Sequence, residues 1–179
     1  VFLVHGSAAR MAQYYDLVRV LKGKYRFVAF DAFGCGESPQ PYGWDVYSTE
    51  NHRKDLVAIF KKYADPQGRN ILLGHSYGTS QVMHLESLVP DEVRGVVLMG
   101  TRCKIPDGKV HPIFNLPLLV LDMLQPSLTL EFNKIAYHPS CPPHIVDLGT
   151  KMSNLNRMYM CKAFYNQVQW VDDDLVRAC

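Results

Sequence analysis

Five consecutive residues, Gly74-His75-Ser76-Tyr77-Gly78, constrain this chain more than any other stretch. The apolar run Asn70-Ile71-Leu72-Leu73 leads into them, and a helix-like stretch ending near Leu88-Val89-Pro90 follows. That pattern is strand, tight turn, helix, with a serine at the apex: the G-x-S-x-G arrangement of a nucleophile elbow. So sharp a turn leaves room only for small flanking residues, which accounts for the glycine on either side. It lifts the Ser76 hydroxyl clear of the sheet. It also sets the N–H of Tyr77 at a helix N-terminus, aimed at developing negative charge. Chance alone yields G-x-S-x-G in roughly one chain in twenty of this length. The flanking strand and helix are what give the motif its weight.

Two further motifs lie upstream. Val1-Phe2-Leu3-Val4 is a strand that runs directly into His5-Gly6-Ser7. A loop there supplies a second oxyanion donor, assigned to the backbone N–H of Ser7. His5, at the end of a buried strand, is expected to fix loop geometry by hydrogen bonding rather than to act as a base. The second motif follows strand Phe27–Phe30: Asp31-Ala32-Phe33-Gly34-Cys35-Gly36-Glu37-Ser38. Gly34 and Gly36 let the chain turn sharply between Asp31 and Ser38. Cys35 reads as a small packed residue rather than an exposed thiol.

H-G, D-x-x-G-x-G-x-S and G-x-S-x-G, in this order, resemble the α/β-hydrolase superfamily. Ala58–Ala64, Gly74–Gly78 and Ile113–Pro117 resemble its abhydrolase domain-containing branch. The resemblance implies an intracellular serine hydrolase with Ser76 as nucleophile. It also implies that His5, Asp31, Gly34, Gly36 and Ser38 shape the pocket, and that Asp31 is not the triad acid. Epoxide hydrolases and haloalkane dehalogenases of this superfamily carry aspartate at the elbow, and the serine argues against both.

The remainder of the chain fits an α/β fold. Strands at Phe2–Val4, Phe27–Phe30, Asn70–Leu73 and Gly95–Gly100 are continuous apolar runs, as in a parallel sheet covered by helices on both faces. A helix is expected over Met11–Leu21. Another is capped by Ser48 or Thr49, with Leu56, Val57, Phe60 and Tyr63 as its apolar stripe, and ends at Asp65–Gly68. From Thr101 onward no strand signal occurs. Helices are expected over Ile113–Leu124, stopped at Gln125-Pro126, then from Ser127 to Tyr137, over Ile145–Asn154 and over Arg157–Val168. Residues 1–100 thus read as the N-terminal part of a hydrolase core and 101–179 as a helical cap. Met123, Met152, Met158, Met160, Phe164, Tyr165 and Trp170 suit either a pocket for acyl chains or the packing of the cap itself. His138, Cys141 and His144 are read as a rigid loop between helices rather than a zinc site, because a fourth ligand is not evident. No metal or cofactor is expected.

Composition excludes several classes. The chain is 47% hydrophobic and 20% charged, so a core forms and disorder is excluded. Its formal net charge is +2, with no basic cluster beyond Lys61-Lys62, and nothing points to nucleic acid. There is no stretch of about 18 uninterrupted apolar residues to span a bilayer. Five cysteines without framework spacing favour a reducing compartment. The expected setting is therefore cytoplasmic or peripherally membrane-associated, with the cap as the membrane-facing surface. Oligomeric state is left open.

The triad order of this architecture is Ser, acid, His. Acid and base are expected outside this chain, which reads as a fragment cut at both ends. His84 and His111 are poorly placed for the base, and Asp172, Asp173 and Asp174 read as a turn cap. Hydrolysis of an apolar acyl ester or thioester through Ser76 is the leading expectation. Transfer of the acyl group to an alcohol, or a non-catalytic scaffold for protein partners, stands as the alternative.

Overall fold

A computed structural model describes residues 1–101, 111–171 and 175. The expected turn cap at Asp172–Asp174 lies outside the described residues. Four strands form one parallel sheet: β1 (Phe2–Val4), β2 (Val28–Ala29), β3 (Asn70–His75) and β4 (Val93–Met99), in the order β2-β1-β3-β4. Parallel neighbours need crossover connections, supplied by helices α1 (Tyr15–Leu21), α2 (Thr49–Tyr63) and α3 (Tyr77–Leu88). The chain leaves β1 to build β2 on one side, then returns to build β3 on the other. That reversal is a topological switch point, and a crevice opens at the carboxyl ends of the strands there. Topology alone therefore brings the loop after Val4 to the loop after His75.

Alternation along the strands sorts the core. Phe2, Val4 and Leu72 pack with Leu56 and Phe60 of α2 and with Val82 and Leu85 of α3. Leu3 and Leu73 face the other way, against Tyr14, Leu17 and Val18. Ser48 caps α2 as expected, its Oγ accepting from the Asn51 N–H at 3.3 Å. The stripe of α2 is shorter than expected. Phe60 closes the core against Phe2 (ring centroids 5.0 Å apart), while Tyr63, at the helix end, is 43% exposed. β2 is also shorter than its apolar run: it pairs with β1 at two positions, Phe2 with Val28 and Leu3 with Ala29, while Val4 of β1 pairs with β3 alone. β4 pairs with β3, and among the described residues no strand pairs with its outer edge. Its last residues, Val97, Leu98 and Met99, are 43%, 39% and 45% exposed.

Beyond residue 111 the described elements are helical: a short 3-10 turn (Pro112–Asn115), then α4 (Leu118–Ala136), α5 (Pro143–Ser153) and α6 (Met158–Gln167). The expected break at Gln125-Pro126 does not occur, and α4 runs through Pro126. Proline cannot donate to the Asp122 carbonyl and normally kinks or ends a helix. Here both sides of it are tied to the same neighbours. Gln125 Nε2 donates to Asn156 O (2.8 Å), Thr129 Oγ1 to Asn154 Oδ1 (2.8 Å), and Asn133 Nδ2 to Thr150 Oγ1 (2.6 Å). Tertiary bonds override the local preference. Helix α6 buries Met158, Met160, Cys161, Ala163 and Phe164 against Cys35, Tyr47, Tyr77 and Leu121. Its methionines thus pack the helical segment onto the core, while Met123 of α4 faces solvent. In the loop before α5, His138 Nδ1 accepts from the Ser140 hydroxyl (2.8 Å) and N–H (3.2 Å), closing a tight turn.

Candidate active site

Ser76 connects β3 to α3 with φ 52° and ψ −119°, a conformation that side chains rarely adopt. Bonds on both sides hold it there. Its N–H donates to Met99 O (2.9 Å), extending the β3–β4 ladder by one step. Its carbonyl accepts from the N–H (3.0 Å) and hydroxyl (2.5 Å) of Thr79 in the first turn of α3. The bracketing glycines are required by contact. A Cβ at Gly74 would collide with the Gly78 carbonyl, and one at Gly78 with the carbonyl oxygen of Val4 in β1. A Cβ at Gly6 would lie 3.1 Å from Ser76 Cβ, so the loop after β1 passes directly against Ser76. Ser7 follows in that loop, partly buried, and Tyr77 opens α3 on the other side.

The Tyr77 side chain points away from this crevice into the core. It donates to Thr49 Oγ1 (3.2 Å) and meets Phe164 edge-on at 4.9 Å; burial pushes its hydroxyl up to about 12. His5 is buried and bonded on both nitrogens. Nδ1 donates to Gly6 O (2.7 Å), and Nε2 accepts from the Ala32 N–H (2.9 Å). This leaves a neutral ring, and burial lowers its pKa below the ordinary 6.5. His5 thus ties the loop after β1 to the loop after β2.

Asp31 is equally committed. Its carboxylate accepts from the N–H of Met11 (2.7 Å) and of Glu37 (2.9 Å), and its carbonyl from Ser38 Oγ (2.7 Å). Gly34 and Gly36 have φ of 85° and 56°, and a Cβ at Gly36 would strike the Asp31 carboxylate. Cys35 packs in the core, its thiol pushed up to about 12 by burial. Among the described residues no imidazole hydrogen-bonds Ser76 Oγ. His75, next to it in sequence, has a partly buried ring whose pKa burial lowers.

Several contacts of the site carry no signal in the sequence. Tyr165 donates to Ser7 Oγ (3.1 Å), Asn156 Nδ2 to Ala8 O (2.6 Å), and Arg10 Nη2 to Met152 O (3.0 Å). Behind the loop, His52, Tyr77, Gln81 and Phe164 line a small cavity with Val4–Ala8. His52 Nε2 donates to Phe33 O (3.1 Å). Its Nδ1 and both amide atoms of Gln81 are buried without a partner among the described residues.

A family profile described as the alpha/beta hydrolase fold matches residues 1–133. The chain belongs to that family. Among its relatives, human Protein ABHD8 is 34% identical over 139 residues, covering 76% of this chain and 31% of that protein. Bifunctional epoxide hydrolase 2 of Mus musculus is 27% identical over 99 residues, 55% of this chain and 18% of its own length. The chain thus spans about a third of the length of the ABHD8 proteins that it matches. A solved hydrolase from Oleispira antarctica superimposes with a TM-score of 0.77 at 15% identity, over 99% of this chain and 68% of the other. That likeness carries the hydrolase fold through α6, beyond the reach of the family profile. Among the described residues, no helix of this family member is long and apolar enough to cross a membrane.

Proposed function

We propose that the protein cleaves carboxylic esters or thioesters through an acyl-enzyme on Ser76. The carrying observation is the strained conformation of Ser76 at the switch point, held by hydrogen bonds to Met99 at the end of β4 and to Thr79 in α3. Strain at a non-glycine residue persists only where the surroundings over-determine it, and it clusters at active sites. Ser76 Oγ attacks the acyl carbon, and the N–H groups of Ser7 and Tyr77 receive the oxyanion. The hydroxyl proton passes to a base that none of the described residues supplies, and from it to the departing alcohol or thiol. Water then opens the ester on Ser76 by the same route in reverse. One relative is an epoxide hydrolase by name. A serine at the apex supports acyl chemistry instead, since it reacts at a carbonyl and yields an ester that water can open. Phe114 stacks on Tyr165 (4.5 Å, 19°) beside Ser7, an apolar wall that supports an acyl substrate.

The test is fluorophosphonate labelling of the full-length protein and of Ser76→Ala. Wild type should label and the variant should not. Equal labelling of the two overturns the assignment.

A further inference from the structure

Ala8 and Ser76 are the two non-glycine residues with positive φ among the described residues, at 51° and 52°. One lies in the loop after β1 and the other in the turn after β3, and the two segments meet where Gly6 passes Ser76. Ser76 is held by backbone bonds, to Met99 of the adjacent strand β4 and to Thr79 of its own helix. Ala8 is held more loosely nearby: the turn bond from the Ala9 N–H to Gly6 O is long, at 3.3 Å, and its backbone meets the Cys35 thiol. Three further hydrogen bonds tie residues 7–10 to positions more than 140 away. Arg10 reaches Met152 O in α5, Asn156 at the α5–α6 junction donates to Ala8 O, and Tyr165 in α6 donates to Ser7 Oγ, at sequence separations of 142, 148 and 158. Asn156 is itself buried, and its carbonyl accepts from Gln125 of α4. Every helix of the segment is thus linked to the four residues that carry the second oxyanion donor.

We propose that the helical segment α4–α6 holds the oxyanion loop in working geometry, with Asn156 and Tyr165 as its positioning residues. An L-residue at positive φ relaxes once its restraints go. Losing the Asn156 bond lets Ala8 return to negative φ and swings the Ser7 N–H off the position of the oxyanion. Seating of the helical segment over a substrate is then read directly as alignment of the donor, which couples occupancy to reactivity. This inference rests on Ser76 and the Ser7 N–H acting as proposed above.

Three variants of the full-length protein test it: Asn156→Ala, Tyr165→Phe and the double variant Ala8→Gly/Asn156→Ala. Fluorophosphonate labelling is followed alongside hydrogen exchange of the amides of residues 7–10. Asn156→Ala should slow labelling about tenfold, a fraction of the loss from deleting a donor outright. Exchange at residues 7–10 should quicken with it. With an ester substrate, kcat should fall while KM holds, because the bond acts on the transition state. Tyr165→Phe keeps the ring on Phe114 and removes only the hydroxyl, so it reports even if Asn156→Ala folds poorly; it should slow labelling several-fold. Glycine adopts positive φ freely, so Ala8→Gly should restore most of what Asn156→Ala loses.

A merely structural Asn156 would not be rescued in this way. Unchanged labelling and exchange in both single variants, or loss without rescue by Ala8→Gly, overturns the proposal. If wild type fails to label at Ser76, the proposed function falls, while exchange at residues 7–10 still decides whether the helices hold the loop.

Discussion

At φ 52° and ψ −119°, Ser76 occupies backbone space in which glycine would sit without strain. Ser76→Gly is therefore expected to stabilise the fold by about 1 kcal/mol while abolishing fluorophosphonate labelling. Urea unfolding measures the first effect, and a drop in stability would show that the elbow is not strained. The glycines at 74 and 78 were legible in the sequence because their constraint is local: a turn this tight admits no side chain on either side. Ala8 was not legible. Nothing in an alanine announces positive φ, and the groups that hold it, Asn156 above all, lie far along the chain. His5 falls between these cases. Its position at a strand end suggested a fastener, and the Ala32 N–H shows what it fastens.

Among the elements, strands and amphipathic helices followed from their apolar periods, and the errors lie where neighbours decide the outcome. β2 pairs with β1 over two residues only, a limit that its own apolar run does not encode. α4 continues through Pro126 because Gln125, Thr129 and Asn133 bind one set of acceptors on both sides of it. Pro126 is exposed, so its replacement leaves no cavity. Pro126→Ala should restore the bond to the Asp122 carbonyl and raise stability by about 1–3 kcal/mol, read from a thermal melt. A lower melting temperature would mean that the proline shapes the helix in a way the packing needs. The helical segment was recognisable as helical. Its grip on the loop after β1 was not, since hydrogen bonds spanning some 150 residues leave no local pattern.

For the molecule as a whole, His5, His52 and His75 share one property: burial lowers each pKa below the ordinary 6.5. Their folded state resists protonation that the unfolded chain accepts. Their contribution to stability is therefore complete above 6.5 and is lost as pH falls from there towards the lower folded values. Urea midpoints measured at about pH 7.5 and about pH 5.5 should show weaker folding in acid. A protonated His5 would turn Nε2 into a donor facing the Ala32 N–H, so replacing His5 should flatten part of that dependence. Equal midpoints would mean that the rings titrate as they do in water. The open side of β4 bears on the molecule differently. Among the described residues no strand pairs with this edge, where Val96-Val97-Leu98-Met99 is apolar and Arg94 is the single charge on the strand. Such a border is a template for any extended peptide. Wherever it is left unshielded, during synthesis or after partial unfolding, the strand that steadies Ser76 through Met99 is also the place where cross-β aggregation would start.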